Sequence, residues 1–160
     1  MADPKPIAGA RALLFDRLVD VSPEGEGHED HLRILNAKQL KASVRREVGR
    51  LLNTRCSLPL HGLGKEERSV VNYGIPDFSS LSPHNADDRA LIASVVGQTI
   101  AAFEPRLRHV RVDVGPASGA ESALWLIVGA ELVIGLFAEP VSFPVILNNK
   151  SGMAEMHDRQ

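Results

Sequence analysis

Residues 103–114 read Phe-Glu-Pro-Arg-Leu-Arg-His-Val-Arg-Val-Asp-Val, and the chain is predicted to change there from helix to strand. Apolar residues recur every three or four positions from Ala86 to Phe103, which predicts a helix with one buried face. Pro105 has no backbone N–H and disfavours helical backbone at Glu104, so this helix must end near Phe103. From Arg108 to Val114, valines alternate with charged residues, as in a half-buried strand.

Two more strands follow in the sequence. Ala123–Leu132 alternates between a leucine-rich face and a face that carries Trp125. Val141–Leu147 is a last apolar strand, and we expect it at a sheet edge or a bulge because Pro144 donates no hydrogen bond to a ladder. Pro140 is expected to break the chain before it.

Another amphipathic helix is predicted nearer the N-terminus, from Asn36 to Leu52. Its apolar stripe consists of Leu40, Val44, Val48, Leu51 and Leu52, and its basic face of Lys38, Lys41, Arg45, Arg46 and Arg50. Helices that precede a meander of strands are typical of an α+β fold. We therefore predict N-terminal helices packed on a small, mainly antiparallel sheet with an open edge strand.

The chain divides into three parts. Residues 1–33 are predicted to form a flexible N-terminal segment, with a short helix at Ala10–Leu18 and then a Gly- and Glu-rich stretch at Val21–His31. Residues 34–152 are predicted to form a single α+β domain, and residues 153–160 a C-terminal tail. A chain of 160 residues is long enough to bury a core without disulfides or metal.

The composition argues against several classes of protein. The 18 Lys and Arg residues nearly balance the 20 Asp and Glu residues, which argues against a surface built for nucleic acid. Cys56 is the single cysteine, so an internal disulfide is impossible and a reducing compartment is favoured. The sequence has no signal-peptide pattern and no apolar run long enough for a membrane helix. We therefore expect a cytoplasmic protein without direct membrane insertion.

Candidate catalytic groups are few. Glu104 and Asp113 are the candidates for the carboxylate pair of a hydrolase, but Asp113 alternates outward on its strand. Cys56 and His61 lie in a Pro- and Gly-rich loop without a third, orienting group. Two histidines of the Gly- and Glu-rich stretch have the spacing of metal ligands but no further ligands beside them. We therefore predict no catalytic, cofactor-binding or metal-binding residues.

Two features have a functional interpretation, the basic helix face and the Glu104-Pro105-Arg106 corner. The basic face is either a solvated surface or a site for an acidic protein partner, and nucleic acid is a weaker alternative because no aromatic residues interleave. At the corner, a fixed proline bend holds a guanidinium fork suited to a carboxylate or to several carbonyls. From the residues alone, a simple helix stop with two ordinary charges is the alternative.

Several segments resemble the TssE family of type VI secretion baseplates, which is related to a baseplate component of contractile phage tails. The matching segments are Ser43–Val48, Leu51–Arg55, Ser69–Phe78, Phe103–Leu107 and Val141–Phe143. They occur in the family's order and span roughly residues 10–152. The Glu-Pro-Arg motif of the family falls on Glu104, Pro105 and Arg106.

The resemblance implies a structural subunit of a contractile injection apparatus rather than an enzyme. TssE-like proteins bind the wedge proteins TssF and TssG and help to join the baseplate to the TssB–TssC sheath, at the cytoplasmic side of the inner membrane. The predicted partner-binding residues are Glu104, Pro105 and Arg106 at the corner, Arg45 and Arg46 on the basic helix face, and Val141, Phe143 and Val145 on an edge strand that accepts a partner strand. The lysozyme-like label of the family leaves a peptidoglycan hydrolase as the alternative function.

Overall fold

The computed structural model describes residues 6–11, 34–60, 68–117 and 122–157, and the fold is α+β as the sequence predicts. In chain order, the elements are strands β1 (Pro6–Arg11) and β2 (Ile34–Asn36), helix α1 (Ala37–Asn53), a 3₁₀ turn (Val70–Asn72), helix α2 (Ala86–Phe103), and strands β3 (Leu107–Pro116), β4 (Ala123–Ile134), β5 (Phe137–Asn148) and β6 (Ala154–Met156). β1 and β2 pair with each other, and the other four strands form one antiparallel sheet in the order β3-β4-β5-β6.

α1 begins where its first residues can be capped. Asn36 Oδ1 accepts a hydrogen bond from the Gln39 N–H at 3.0 Å, and Gln39 Oε1 accepts one from the Asn36 N–H at 3.0 Å. This reciprocal cap satisfies backbone donors that the first turn leaves unpaired. At the other end, the Thr54 N–H donates to the Leu51 carbonyl. The predicted helix is confirmed with its apolar stripe buried, and Asn36 is its cap rather than its first residue.

α2 spans the predicted residues and packs against β3. Asn85 accepts a hydrogen bond from the Asp87 N–H at 3.0 Å. The carboxylate of Asp87 lies in the first turn, where the helix dipole favours negative charge. A Cβ added to Gly97 would come within 3.6 Å of Val112 Cγ2, so the helix and the strand are in close contact.

The alternation predicted for β3 and β4 is confirmed. Val112 faces α2, whereas Asp113 is exposed on the opposite face of the sheet. On β4, Leu124 and Leu126 are fully buried, and Trp125 between them is half-buried on that opposite face. Burial of one such leucine contributes about 1.5–3 kcal/mol of apolar transfer free energy. The core therefore lies between the helices and one face of the sheet.

The structure corrects the predicted N-terminal helix at its first residues. Ala10 and Arg11 belong to β1, because this segment pairs with β2 and Ala10 packs into the core without exposure. Residues 12–18 of the predicted helix lie outside the described residues, as does the Gly- and Glu-rich stretch.

The predicted C-terminal tail contains a strand. Ala154–Met156 form β6, whose backbone pairs with Val145–Leu147 of β5. Ala154 packs into the core at 6% exposure. The ordered domain therefore extends beyond residue 152, where the sequence places its end.

The long segment between the two helices is attached to the core at Ile75. The Ile75 N–H donates to the Thr54 carbonyl at 2.9 Å, and the Cys56 N–H donates to the Ile75 carbonyl at 3.0 Å. Ile75 and Phe78 are buried. Gly74 has a φ angle of 113°, and a Cβ there would collide with the Thr54 carbonyl, so this position requires glycine.

Asp77 closes the turn that follows this attachment. Its carboxylate accepts hydrogen bonds from the Ser79 N–H at 2.8 Å and from Ser79 Oγ at 2.9 Å. These bonds, with a smaller contribution from the charge of Arg55, hold the pKa of Asp77 below its ordinary value. The ionised form of Asp77 therefore stabilises the turn.

We predict that Asp77→Asn lowers the free energy of unfolding near neutral pH and has little effect in acid. Because the pKa of Asp77 is lower in the folded protein, its contribution is present above the unfolded value of about 3.9 and is lost as the pH falls through the folded value. Urea titrations of both proteins at about pH 7 and about pH 2.5 measure the difference. A difference of the same size at both pH values would contradict the prediction.

Candidate functional site: the Glu-Pro-Arg corner and the open sheet edge

Glu104, Pro105 and Arg106 lie at the junction of α2 and β3. The Glu104 N–H donates to the Ile100 carbonyl at 2.8 Å, which closes the helix. Pro105 is exposed at the bend. The Leu107 N–H then donates back to the Glu104 carbonyl at 3.0 Å. The chain therefore turns from helix to strand around the proline, and the turn is held by its own backbone.

The side chains of Glu104 and Arg106 bind each other. Arg106 Nε donates to Glu104 Oε1 and Nη2 donates to Oε2, both at 2.6 Å. The Glu104 side chain is 6% exposed and that of Arg106 is 15% exposed. A bidentate pair of this kind is strong and directional. Because the Arg106 carbonyl also accepts from the Val133 N–H at 2.8 Å, the corner is bound to β4 as well.

The Arg106 guanidinium, which the sequence analysis describes as a fork suited to a carboxylate or to several carbonyls, binds the carboxylate of Glu104 in the structure. Two of its nitrogens are engaged by Glu104, since the bend brings both side chains to the same side of the chain. The corner therefore presents a rigid surface whose two charges neutralise each other.

A depression of about 270 Å³ lies beside the corner. It is lined by Glu47 and Leu51 of α1, by Tyr73 and Phe103, and by the three corner residues. The ring of Tyr73 packs edge-on against Phe103, with 5.1 Å between the centroids. Burial, followed by the negative charges of Glu47 and Glu104, raises the pKa of Tyr73.

A second surface lies along the outer edge of β5. β6 covers that edge at Val145–Leu147, and the His157 N–H donates to the Pro144 carbonyl at 2.9 Å. Within the part of the chain that the structure describes, no strand pairs with the outer edge from residue 137 to 143. A groove of about 590 Å³ lies between this open edge and α1. Its lining consists of Lys41, Ala42, Arg45, Pro140, Val141, Ser142, Phe143, Pro144 and His157.

The two prolines of β5 are compatible with the open edge because their backbone groups point to the outer side of the strand. The N–H and C=O of one residue point to the same side of a strand and alternate along it. The Pro144 carbonyl points outward, to His157, and Pro140 has the same phase in an unbroken register with β4. Pro140 therefore does not break the strand, contrary to the sequence prediction. Ala138 and Ser142 are the residues of this phase between 137 and 143 that retain an outward N–H.

The edge of the sheet formed by β3 is protected against the addition of another strand. His109 has a φ angle of 53°, and the register between β3 and β4 shifts between Arg108 and Arg111. This irregularity is a β-bulge on an edge strand with exposed charged side chains. Bulges and charges of this kind oppose strand addition. The sheet therefore has one edge that is protected against strand addition and one edge that is open over part of its length.

The predicted contact residues of the edge strand point mainly toward the core. Phe143 is 5% exposed and Val145 is fully buried. The side chain of Val141 lies on the same face of the strand and is half-buried. Val145 also pairs with β6, so the structure does not bring it to the open edge. The prediction that this side chain selects a partner is therefore corrected: what the edge offers is backbone.

The predicted basic residues of α1 lie in different surroundings. Arg45 lines the groove, and its Nη2 donates to the Met156 carbonyl at 2.9 Å, which joins α1 to β6. Lys41 forms an ion pair with Glu139 of β5. Arg46 is exposed and does not line the groove. The basic face therefore serves in part to hold α1 on the sheet.

The candidate hydrolytic pair is not brought together. Glu104 is bonded to Arg106, whereas Asp113 is exposed on the sheet face opposite the helices. Among the described residues, no group of three or more His, Cys, Asp and Glu side chains is arranged to hold a metal ion. His61 and the two histidines at 28 and 31 lie outside these residues. No helix in the described part of the chain is both long and apolar enough to cross a membrane.

A comparison with protein families assigns the chain. The model of the family described as baseplate wedge protein gp25 matches residues 38–134, more than half of the chain. The chain belongs to the gp25 baseplate wedge family. TssE is a member of that family, so the resemblance found in the sequence is confirmed. The curated proteins searched show no significant match to this chain.

The gp25 family supports a structural role in the baseplate of a contractile injection apparatus. A baseplate wedge protein implies contacts with other baseplate subunits. The matched residues include α1, the corner, β3 and β4, whereas β5 lies beyond them.

Two neighbours of the corner were not predicted from the sequence. Tyr73 and Glu47 line the depression with Glu104, although they come from the loop and from α1. No spacing signal connects residues this distant in the chain. In the sequence analysis, Tyr73 and Glu47 appear only within segments that carry the family resemblance, Ser69–Phe78 and Ser43–Val48.

We predict that Arg106→Met lowers the free energy of unfolding by about 3–5 kcal/mol, because it leaves the Glu104 carboxylate buried without its partner. The double variant Glu104→Leu, Arg106→Met removes both charges and is expected to be more stable than the single variant. Urea denaturation of the three proteins measures both effects. Equal stability of Arg106→Met and the wild type would mean that the pair does not hold the corner.

Proposed function

We propose that this chain is a non-enzymatic subunit of a type VI secretion baseplate that binds TssF and TssG at the Glu104–Arg106 corner and anchors the TssB–TssC sheath at the open edge of β5. In this role it acts in the cytoplasm, at the inner membrane. The observation that carries the proposal is the unpaired outer edge of β5 beside its groove.

The open edge supports anchoring by strand addition. The carbonyls of Ala138, Pro140 and Ser142 point outward and have no partner strand among the described residues. An extended segment of a sheath subunit donates to these carbonyls and continues the sheet beyond the end of β6. Main-chain pairing of this kind supplies affinity, and the walls of the groove supply selectivity.

The groove restricts which segment binds. Only the N–H groups of Ala138 and Ser142 are available as donors, because Pro140 has none. An incoming strand must therefore place its accepting carbonyls at two defined positions. The charge of Arg45, which lines the groove, favours an acidic side chain on the segment and adds electrostatic complementarity.

The corner supports the binding of a helical partner at a fixed angle. The bidentate bond between Glu104 and Arg106 leaves α2 and β3 little freedom to rotate against each other. Pro105 is exposed at the apex and the depression opens beside it. A partner that contacts this apex is held in a defined orientation relative to the sheet.

The carboxylates favour this structural role over peptidoglycan hydrolysis. A glycosidase places two carboxyl groups about 5–10 Å apart across one cleft. Here, Glu104 binds Arg106, and Asp113 lies exposed on the far face of the sheet.

We predict that Ser142→Pro abolishes binding of the TssB–TssC sheath and leaves the fold intact. The Ser142 N–H points outward, so its removal takes away a donor of the open edge without a loss in the β4 ladder. Binding of purified protein to purified TssB–TssC, measured by pull-down, tests the prediction. Urea denaturation checks that stability is unchanged.

Ser142→Ala is the matched control, because it changes the side chain and keeps the N–H. We expect it to bind the sheath subunits like the wild type. If Ser142→Pro also binds like the wild type, the sheath does not add a strand at this edge. If the wild type binds neither TssB–TssC nor TssF–TssG, the proposed function is wrong.

A further inference from the structure

β6 ends where the open edge of β5 begins. Its residues pair with β5 as far as Met156, which lies opposite Val145. The His157 N–H continues this ladder by donating to the Pro144 carbonyl at 2.9 Å. Beyond that position, the outer edge of β5 has no partner strand among the described residues. The chain that follows His157 therefore leaves β6 in line with the open edge.

Side chains of α1 hold β6 in this direction. The Ala154 N–H donates to Asn53 Oδ1 at 2.9 Å, and Asn53 Nδ2 donates to the Ala154 carbonyl at 2.8 Å. Arg45 Nη2 donates to the Met156 carbonyl at 2.9 Å. These bonds lie on the side of β6 away from β5, because the backbone groups of successive residues point to opposite sides of a strand. β6 is thus fixed between α1 and β5, and the chain after it starts from a defined position and direction.

The pairing of β6 sets the register of residues 158–160, which come next in the sequence and lie outside the described part of the chain. Continued one position at a time, the antiparallel ladder brings Arg159 opposite Ser142. Backbone groups two residues apart point to the same side of a strand, so those of Arg159 face β5 as the His157 N–H does. Ser142 presents its own N–H and carbonyl outward. An extended backbone at this position would therefore form two hydrogen bonds, one in each direction.

The two faces of β6 place the carboxylate of Asp158 on the helix side. A Cβ added to Gly49 would come within 3.2 Å of Met156 Cγ, so Met156 packs on α1. The ring of His157 instead contacts Trp125 on the opposite face of the sheet, with 5.9 Å between the centroids. Side chains alternate between the two faces along an extended chain. Asp158 therefore falls on the face of Met156, toward the groove.

Arg45 lies where this carboxylate would come. From the first residue of β6 to Met156, the contact on α1 moves from Asn53 back to Gly49, about one helical turn. Two strand residues and one helical turn both span about 6 Å, so the same step again leads to Asp158 and Arg45. Arg45 lines the groove, and a carboxylate beside its guanidinium forms a charge-assisted hydrogen bond.

We propose that Asp158, Arg159 and Gln160 extend β6 along the open edge of β5 in the free protein, with the Asp158 carboxylate at Arg45, and that a partner strand has to displace them. The occupant is a segment of this chain, because β6 delivers it to the edge in register, with its backbone groups and its charge correctly placed. Its docking goes beyond the proposed function and does not depend on it. The competition with a sheath segment rests on the proposed function.

The docked segment covers only part of the edge. It reaches from residue 143 to residue 141, and the backbone of Phe137–Pro140 stays accessible beyond it. Because the segment is tethered to β6, its effective concentration at the edge is high, on the order of millimolar. One backbone pair and one ion pair are nevertheless few contacts. A strand that pairs first near Ala138 and then displaces the segment gains more bonds, whereas a strand that pairs only weakly is excluded.

Amide exchange of the full chain, resolved by residue with NMR, tests the docking without a partner. The edge supplies an internal comparison, because Ser142 and Ala138 both have outward N–H groups and the segment reaches only Ser142. We expect the Ser142 amide to exchange about tenfold more slowly in the wild type than in Arg159→Pro, and the Ala138 amide to exchange equally in both. The proline removes the donor and directs its ring at the Ser142 carbonyl.

Gln160→Pro is the matched control, since the backbone groups of Gln160 point away from β5 in this register. It is expected to exchange like the wild type at Ser142. Asp158→Asn tests the charge and is expected to speed the exchange of Ser142 several-fold at low salt. An unchanged rate in Asp158→Asn would overturn the contact with Arg45. Equal rates at Ser142 in the wild type and in Arg159→Pro would overturn the docking itself.

Titration with purified TssB–TssC tests the competition. Arg159→Pro is expected to lower Kd several-fold relative to the wild type, because the sheath segment no longer has to displace the docked residues. Gln160→Pro is expected to leave Kd unchanged. If Ser142 is protected but Arg159→Pro binds with the wild-type Kd, the docked residues do not compete with the sheath, and that part of the inference is wrong.

The two experiments separate this inference from the proposed function. If Ser142 is protected and neither the wild type nor Arg159→Pro binds TssB–TssC, the docking stands and the proposed anchoring of the sheath falls. If the wild type binds TssB–TssC and Ser142 is not protected in the free protein, the docking is wrong and the proposed function stands.

Discussion

The ion pair between Glu104 and Arg106 is the contact on which the arrangement of helix and sheet depends. It joins the end of α2 to the start of β3 by two hydrogen bonds of 2.6 Å, and the Arg106 carbonyl extends the connection to Val133 of β4. A buried ion pair adds little net stability, because desolvation of both charges opposes their attraction. It is nevertheless directional, since any other arrangement leaves a buried charge unpaired. The pair therefore contributes geometry more than stability: it sets the angle at which α2 meets the sheet.

The corner and the open edge of β5 lie at the same end of the sheet. Leu107 follows the corner and pairs opposite Leu132, and Leu132 pairs opposite Glu139 near the start of β5. Neighbouring strands are about 4.8 Å apart, so two ladders separate the proposed surfaces by about 10 Å. The ion pair of Glu139 with Lys41 then connects this end of β5 to α1 and its groove. A load applied by a partner at the corner would pass through hydrogen-bonded strands, without a flexible loop between the two surfaces.

The spacing of apolar residues predicted those elements in which buried positions recur at regular intervals along the sequence. α1, α2 and the faces of β3 and β4 are of this kind. β6 has three residues and β1 pairs with a strand distant in the chain, so neither has a local pattern. The sequence placed Glu104 and Arg106 at a bend but did not pair them. Residues two apart do not face each other on a helix, and only the turn into β3 brings their side chains together.

An open strand edge exposes a protein to unwanted pairing with other chains. In β5 the hazard is reduced because Pro140 and Pro144 remove outward donors at two positions, and β6 with His157 closes the edge from residue 144 onward. What remains is a short stretch with N–H groups at Ala138 and Ser142, beside the groove that Arg45 lines. Such an edge binds weakly to an arbitrary strand, because most registers leave its carbonyls or donors without partners in a partly enclosed groove. If a partner strand adds at this edge, as we propose, the same features that oppose unwanted pairing would restrict which strand can bind.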